Sequence, residues 1–376
     1  MKNAFRVLRI RGIDIRIHYT FPLILFWAAF QFGFFRGRGL EGAIFGIVVT
    51  SLLFVIVVLH EMGHSVAALH YGVPVKEIVL LPIGGVAQLG RMPEKPIQEF
   101  VIAIAGPLVN FVLAFLLGLV AIVVGVPVGI STNALNLSLL ASLSLASVFT
   151  YIFISNIIIG VFNLLPAFPM DGGRILRSLL AMRLEYTRAT SIAVTFGQIM
   201  AVVLGIWGLM SGSFFLAIIA FFIFISAGQE GKMTKVRGVL NGVKVKQVFS
   251  RDALRLSPQS TLREAADLAM KSFQSDFPVF DEDRYVGMLP YADLIEAMRS
   301  KRTDTPVAEV MKTQLSTVGP EDGLFEVQMQ LAESGENALP VVEGDQFLGL
   351  ITGKDIGEIY RLLSRKRDLF TAKGTS

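Results

Sequence analysis

The chain has 376 residues, 53% of them apolar and only 17% charged, with a mean hydropathy of +0.61 and a formal net charge of +4. Soluble domains carry about a quarter of their residues charged, so a single globular domain is excluded, and so is intrinsic disorder. The absence of cysteine removes disulfides, thiolate metal sites and cysteine nucleophiles together. Charge is also uneven: 23 Asp, Glu, Lys and Arg fall in residues 1–230 and 41 in residues 231–376, about 10% and 28%. The net charge splits into +5 and −1. Neither part has the basic stripe a nucleic-acid partner would require.

In chain order, the apolar stretches place six membrane spans near residues 18–35, 43–69, 98–124, 139–162, 190–210 and 213–229. Residues 100–170 carry no charge at all and hold two spans, hinged at the segment from Gly125 to Asn136. Ser211, Gly212 and Ser213 turn the last two into a hairpin. The N-terminal apolar run is too long, and lacks the small-residue site, for a cleaved signal peptide. Lys2, Arg6, Arg9, Arg11 and Arg16 precede the first span, and Lys76, Arg91, Lys95, Arg174, Arg177, Arg183 and Arg188 lie in the second and fourth connections. By the positive-inside rule both termini are cytoplasmic, in the cell membrane, with Arg36 and Arg38 on the wrong side.

The second span contains His60-Glu61-Met62-Gly63-His64. At 3.6 residues per turn the two histidines stack on one face. Ionisable residues are costly inside a span and mark function there. Two imidazoles so placed suit one zinc ion, with Glu61 beside a zinc-bound water. The alternative is three polar groups packing between helices or lining a crevice. Catalytic zinc takes a third protein ligand. His70 nearly completes the longer HExxHxxGxxH pattern, but Ala67 stands where its turning glycine belongs. A continuing helix rotates His70 about 240° from His64, so His70 is expected at the helix end, and His18 at the mouth of the first span. Asp171 is the better candidate. It is the first charge after residue 99, in Asn163-Leu-Leu-Pro-Ala-Phe-Pro-Met-Asp171-Gly-Gly-Arg174, where prolines and glycines favour irregular backbone. The alternative is that Asp171 only caps the following helix.

HExxH in one span and NxxPxxPMDGGR about 100 residues later together resemble the site-2 proteases, zinc metalloproteases that cut substrates within the membrane. The likeness runs over nearly the whole chain, including Leu81-Pro-Ile-Gly-Gly-Val-Ala87 and Ala105-Gly-Pro107. It is nearest the bacterial and archaeal branch with a C-terminal CBS pair. The resemblance implies that His60, His64 and Asp171 bind zinc, that Glu61 is general base and acid, and that Asn163 helps hold the substrate or the tetrahedral intermediate. It implies membrane-protein substrates, whose helices must locally unwind before attack. Val73 to Leu89, with β-branched residues around Gly84 and Gly85, could offer such a segment a strand edge, or re-enter the bilayer for packing alone. Asn110 and Asn156 read as interhelical hydrogen-bonding residues.

Residues 245–363 repeat with a constant offset: Val248 aligns with Val310, Pro258 with Pro320, Leu262 with Leu324, Pro278 with Pro340, Gly287 with Gly349 and Asp293 with Asp355. Each repeat reads β-α-β-β-α, and the two resemble a tandem pair of CBS domains, which often bind adenine nucleotides such as AMP or ATP. That resemblance puts Thr352 and Asp355 on ribose and phosphate in the second repeat. In the first, Asp293 is kept but Pro290 replaces the hydroxyl residue, so at most one good nucleotide site is expected. The alternative is a dimerisation module without a ligand. The expected architecture is therefore a multi-pass α-helical membrane domain (1–230), a linker (231–244), a cytosolic α/β CBS pair (245–306 and 307–363) and a basic tail (364–376). A CBS-regulated metal-ion transporter or channel is the rival. It should show polar groups at several depths on several spans, whereas here they cluster near one.

Overall fold

A computed structural model of the chain describes residues 4–82, 84–90, 95–125, 144–272, 274–300, 303–344 and 346–373. Two compact units emerge, Met1–Lys232 and Met233–Ser376. Beyond Gly125, the hinge expected at Gly125 to Asn136 lies outside the described residues, as do the start of the fourth span, Arg91 and the last residues of the tail.

The first unit begins with strands β1 (Ala4–Ile10) and β2 (Ile13–His18), then helix α1 (Pro22–Ala29), a π-helical turn (Phe30–Phe35) and helix α2 (Gly39–His70). Strands β3 (Val75–Leu81) and β4 (Gly84–Leu89) follow, then α3 (Pro96–Val124), α4 (Leu145–Asn163), α5 (Asp171–Ala181), α6 (Tyr186–Met210) and α7 (Phe214–Leu240). Among the described residues five helices, α2, α3, α4, α6 and α7, are long and apolar enough to cross a membrane.

The first expected span differs. Ile13, Ile15 and Ile17 alternate with Asp14 and Arg16, the period of a strand rather than a helix, and β2 runs through His18. Pro22 then starts α1 with its fixed φ, and Gly37 and Gly39, at φ of 65° and 59°, close the segment. Pro22–Phe35 therefore reaches about 21 Å at 1.5 Å per residue, short of the roughly 30 Å hydrocarbon core.

The four strands form one sheet in the order β1-β2-β3-β4, two antiparallel hairpins joined by the parallel pair β2-β3, which places Ile15 beside Ile78. Its apolar side packs on α1 and α2, where Phe21, Phe54 and Leu80 form a small core. On the other side Arg16 Nε lies 2.8 Å from Glu77, beside the buried Val79. The sheet thus lies along α2, and among the described residues β4 is one of its two edge strands.

In the second unit the internal repeat becomes an approximate twofold. The first repeat contributes α8 (Leu262–Ser272), β5 (Phe277–Asp281), β6 (Arg284–Leu289) and α9 (Tyr291–Arg299). The second contributes α10 (Leu324–Ser334), β7 (Ala338–Glu343), β8 (Gln346–Thr352) and α11 (Gly353–Lys373). Each hairpin gains a one-residue parallel bridge from the segment before its helix, Leu256 to Val279 and Val318 to Val341. The repeats also exchange bridges reciprocally: Ser250 pairs with Leu350 and Lys312 with Met288. Separate cores fill the two halves, around Phe277, Val279 and Leu289 and around Leu339, Val341 and Ile351. Residues 231–240 belong to α7.

Candidate metal centre

α2 supplies His60 and His64 one turn apart, both buried. The loop from Leu164 to Met170, with a cis Phe168–Pro169 peptide, leads into α5, whose first residue is Asp171. Gly172 makes that delivery possible, because a Cβ there would lie 2.2 Å from the Leu165 carbonyl oxygen. Asp171 does not serve as a cap: the N-cap position is Met170, with no side-chain bond. Its carboxylate instead meets the imidazoles. Oδ2 lies 3.2 Å from His60 Nε2 and 3.1 Å from His64 Nε2, and the two Nε2 atoms are 3.1 Å apart.

The other ring nitrogens decide what those atoms are. His64 Nδ1 donates to the Ile102 carbonyl at 2.6 Å, so its Nε2 presents a lone pair. His60 Nδ1 lies 2.5 Å from Asn110 Oδ1, while Asn110 Nδ2 donates to Asn156 Oδ1 and Asn156 Nδ2 to the Ile152 carbonyl. That chain of donors leaves Asn110 Oδ1 an acceptor and His60 Nε2 a second lone pair. With both imidazoles neutral, two nitrogen lone pairs and one carboxylate oxygen converge with no proton among them, a repulsive set that a cation relieves. Tetrahedral zinc ligands at about 2.0–2.1 Å stand roughly 3.3 Å apart, so this donor set fits zinc. Among the described residues it is the group of three or more such side chains that could hold a metal.

Two glycines make room. A Cβ at Gly106 of α3 would lie 2.1 Å from His64 Nε2, and one at Gly63 of α2 would lie 2.7 Å from the Ala105 carbonyl oxygen. Beside the set, half-buried Glu61 takes a hydrogen bond from the Ala87 backbone of β4. Gly85 of that strand passes so close that a Cβ would lie 3.2 Å from Glu61 Cγ. His70 ends α2, exposed and ring-to-ring with Tyr71, and His18 ends β2 with Nδ1 2.8 Å from Thr20 Oγ1. Neither joins the set. Asn163, at the end of α4, donates its amide to the Ile159 carbonyl of its own helix at 3.0 Å.

In the CBS unit, Thr352 and Asp355 bond one another: the Thr352 hydroxyl donates to Asp355 Oδ2 at 2.7 Å and the Asp355 amide to Thr352 Oγ1 at 3.2 Å. Asp293 pairs with Lys312 Nζ at 3.2 Å. Asp276, which the sequence did not single out, is buried nearby and accepts from the Tyr291 amide. Burial, with Glu336 and Asp293 close by, pushes its carboxyl above the ordinary range.

Sequence reasoning placed Asn110 and Asn156 between helices, where they are, but not as the support of His60. The signal for that was one amide in the apolar middle of each of the two helices. The orienting Ile102 carbonyl has no side-chain signal at all.

A buried bis-histidine and carboxylate centre with an adjacent glutamate, set among membrane-length helices, defines a membrane metallohydrolase. Residues 48–204 match peptidase family M50, and residues 245–300 and 307–360 match the CBS domain. A zinc metalloprotease of Methanocaldococcus jannaschii is 32% identical over 370 residues, covering 98% of this chain and 99% of that one. The solved site-2 protease from the same organism is 37% identical and covers 61% of this chain and 95% of its own, at a TM-score of 0.44. Stage IV sporulation protein FB of Bacillus subtilis is 30% identical over 156 residues, 41% of this chain and 48% of that protein. The chain belongs to peptidase family M50, the site-2 proteases: it is a membrane zinc metalloprotease carrying a CBS pair. None of these matches supports the transporter or channel.

Proposed function

We propose that His60, His64 and Asp171 hold one zinc ion per chain, with Glu61 as the proton-transfer group, to hydrolyse peptide bonds within transmembrane segments of other proteins. The convergence of three lone-pair donors within 3.2 Å carries this reading. Bound zinc supplies Lewis acidity toward a scissile carbonyl and acidifies water. The chain's own residues do the rest. Asn110 and the Ile102 carbonyl hold the imidazoles in the tautomer that leaves Nε2 free. Glu61, fixed by the Ala87 backbone, accepts a proton and returns it to the leaving amine. Asn163 holds the substrate carbonyl, releasing its bond to Ile159. The outer edge of β4, alongside Glu61, pairs with an unwound substrate segment as an added strand.

We place six segments across the membrane, the five long helices and the short Pro22–Phe35 helix, which crosses by local thinning of the bilayer; both termini are then cytoplasmic, following the basic residues noted above. Domain limits are 1–230, 245–306 and 307–363, with 231–244 between and 364–376 as tail. The CBS pair binds an adenine nucleotide through Thr352, Asp355 and Asp293 and forms a homodimer. The mutual Thr352–Asp355 bonds favour a second reading, in which these residues only start α11 and the pair serves assembly.

Glu61→Gln is the deciding variant: it should keep its zinc and lose cleavage of a co-expressed single-span substrate. Retained cleavage would remove Glu61 from its role. Calorimetry of the full chain with AMP and ATP tests the nucleotide site, and no heat with either favours assembly.

A further inference from the structure

An ion triad apart from the ligand set joins three helices of the membrane unit. Glu99, in the first turn of α3, is 0% exposed, and Arg177 of α5 is 3% exposed. Arg177 Nε donates to Glu99 Oε1 at 2.8 Å, and its Nη2 group bonds the same oxygen. Nη1 donates to Glu230 Oε1 of α7 at 2.5 Å. The guanidinium also lies over the rings of Phe168 and Tyr186, at 5.0 and 5.1 Å. Phe168 belongs to the loop that delivers Asp171.

Buried ion pairs are poor sources of stability, and their best-attested use is to specify one arrangement. The placement here indicates which arrangement. Glu99 stands three residues before Ile102, whose carbonyl orients His64. Arg177 stands six residues after Asp171 on a helix of only 11 residues that has two glycines in its first turn. Such a helix has little intrinsic stability, so contacts decide its rotation. A rotation of about 20° swings a carboxylate about 6 Å from the axis through about 2 Å. Metal coordination tolerates about 0.2 Å.

We propose that Arg177 is a positioning residue for the metal centre: its fork keys α5 to the same turn of α3 that orients His64, so that Asp171 meets both imidazoles. The proposal rests on the zinc reading above. Glu230 adds α7 as a third, partly exposed anchor.

The test uses the full chain in detergent, with Co2+ replacing zinc so that its visible absorption reports ligand geometry. Arg177→Lys keeps the charge but loses the fork. It should change the Co2+ spectrum and lower zinc affinity about 10- to 100-fold, with helix content and elution volume as in wild type. Glu230→Gln leaves the Glu99 bonds and should shift affinity by no more than about threefold, as expected of a partly solvated pair. If Arg177→Lys fails to fold, Glu99→Gln with Arg177→Gln replaces the buried charges by amides, and the same spectral change is expected. A wild-type spectrum and affinity in either folded variant overturns the proposal. So does metal loss that only tracks loss of helix. Wild-type chain that takes up no Co2+ sinks the zinc reading itself, whatever the variants do.

Discussion

Gly106→Ala gives the sharpest test of the centre, because its effect is worked from one contact. The new Cβ would lie 2.1 Å from His64 Nε2, 2.6 Å from Cε1 and 2.7 Å from Cδ2. Carbon contacts settle near 3.5 Å, so the ring must withdraw by about 1.4 Å. That is several times the roughly 0.2 Å that metal coordination tolerates. Withdrawal also strains the His64–Ile102 hydrogen bond, worth about 1 kcal/mol. Alanine in a helix interior returns about 1 kcal/mol over glycine, so the fold should be nearly as stable as before. Zinc affinity should fall at least as far as loss of an outer-shell partner lowers it, about 10- to 100-fold. The assay is zinc per chain after dialysis against graded chelator, beside circular dichroism. Gly118→Ala on the same helix is the control, since its Cβ would sit an ordinary 3.4 Å from Phe153. Gly106→Ala with wild-type zinc affinity would refute the assigned position of His64 in the ligand set.

Asp171→Ala should greatly reduce bound zinc while His70→Ala leaves it unchanged. Full metal in the first variant would remove Asp171 from the ligand set. In the CBS unit, Lys244 and Lys246 pull the exposed Glu321 carboxyl from 4.5 down to about 2. A depressed folded-state value favours the fold above pH about 4.5 and loses that benefit as pH falls toward 2. The Tm difference between wild type and Glu321→Gln, measured by calorimetry, should therefore be small at neutral pH and shrink across that window. A difference that grows on acidification contradicts the pairing.

The membrane architecture, the two segments that carry the candidate metal ligands and the 62-residue repeat (Val248 to Val310) were legible in the chain itself. Hydrophobic length, helical spacing and internal similarity are local or one-dimensional properties, and local physics writes them directly into residue order. Strand β2 was legible too, in the alternation of Ile13, Ile15 and Ile17, but it was overshadowed by the apolar run that follows, so the first span came out too long. What tertiary structure alone decided is the pairing of distant groups. The Ile102 carbonyl orients His64 without any side-chain signature, Asn110 becomes the partner of His60 only when α2 and α3 pack, and Glu99 meets Arg177 across 78 positions of chain. Buried polar groups must find partners when water is withdrawn, and which partner each finds depends on how the helices pack, a choice that spacing along the chain does not encode.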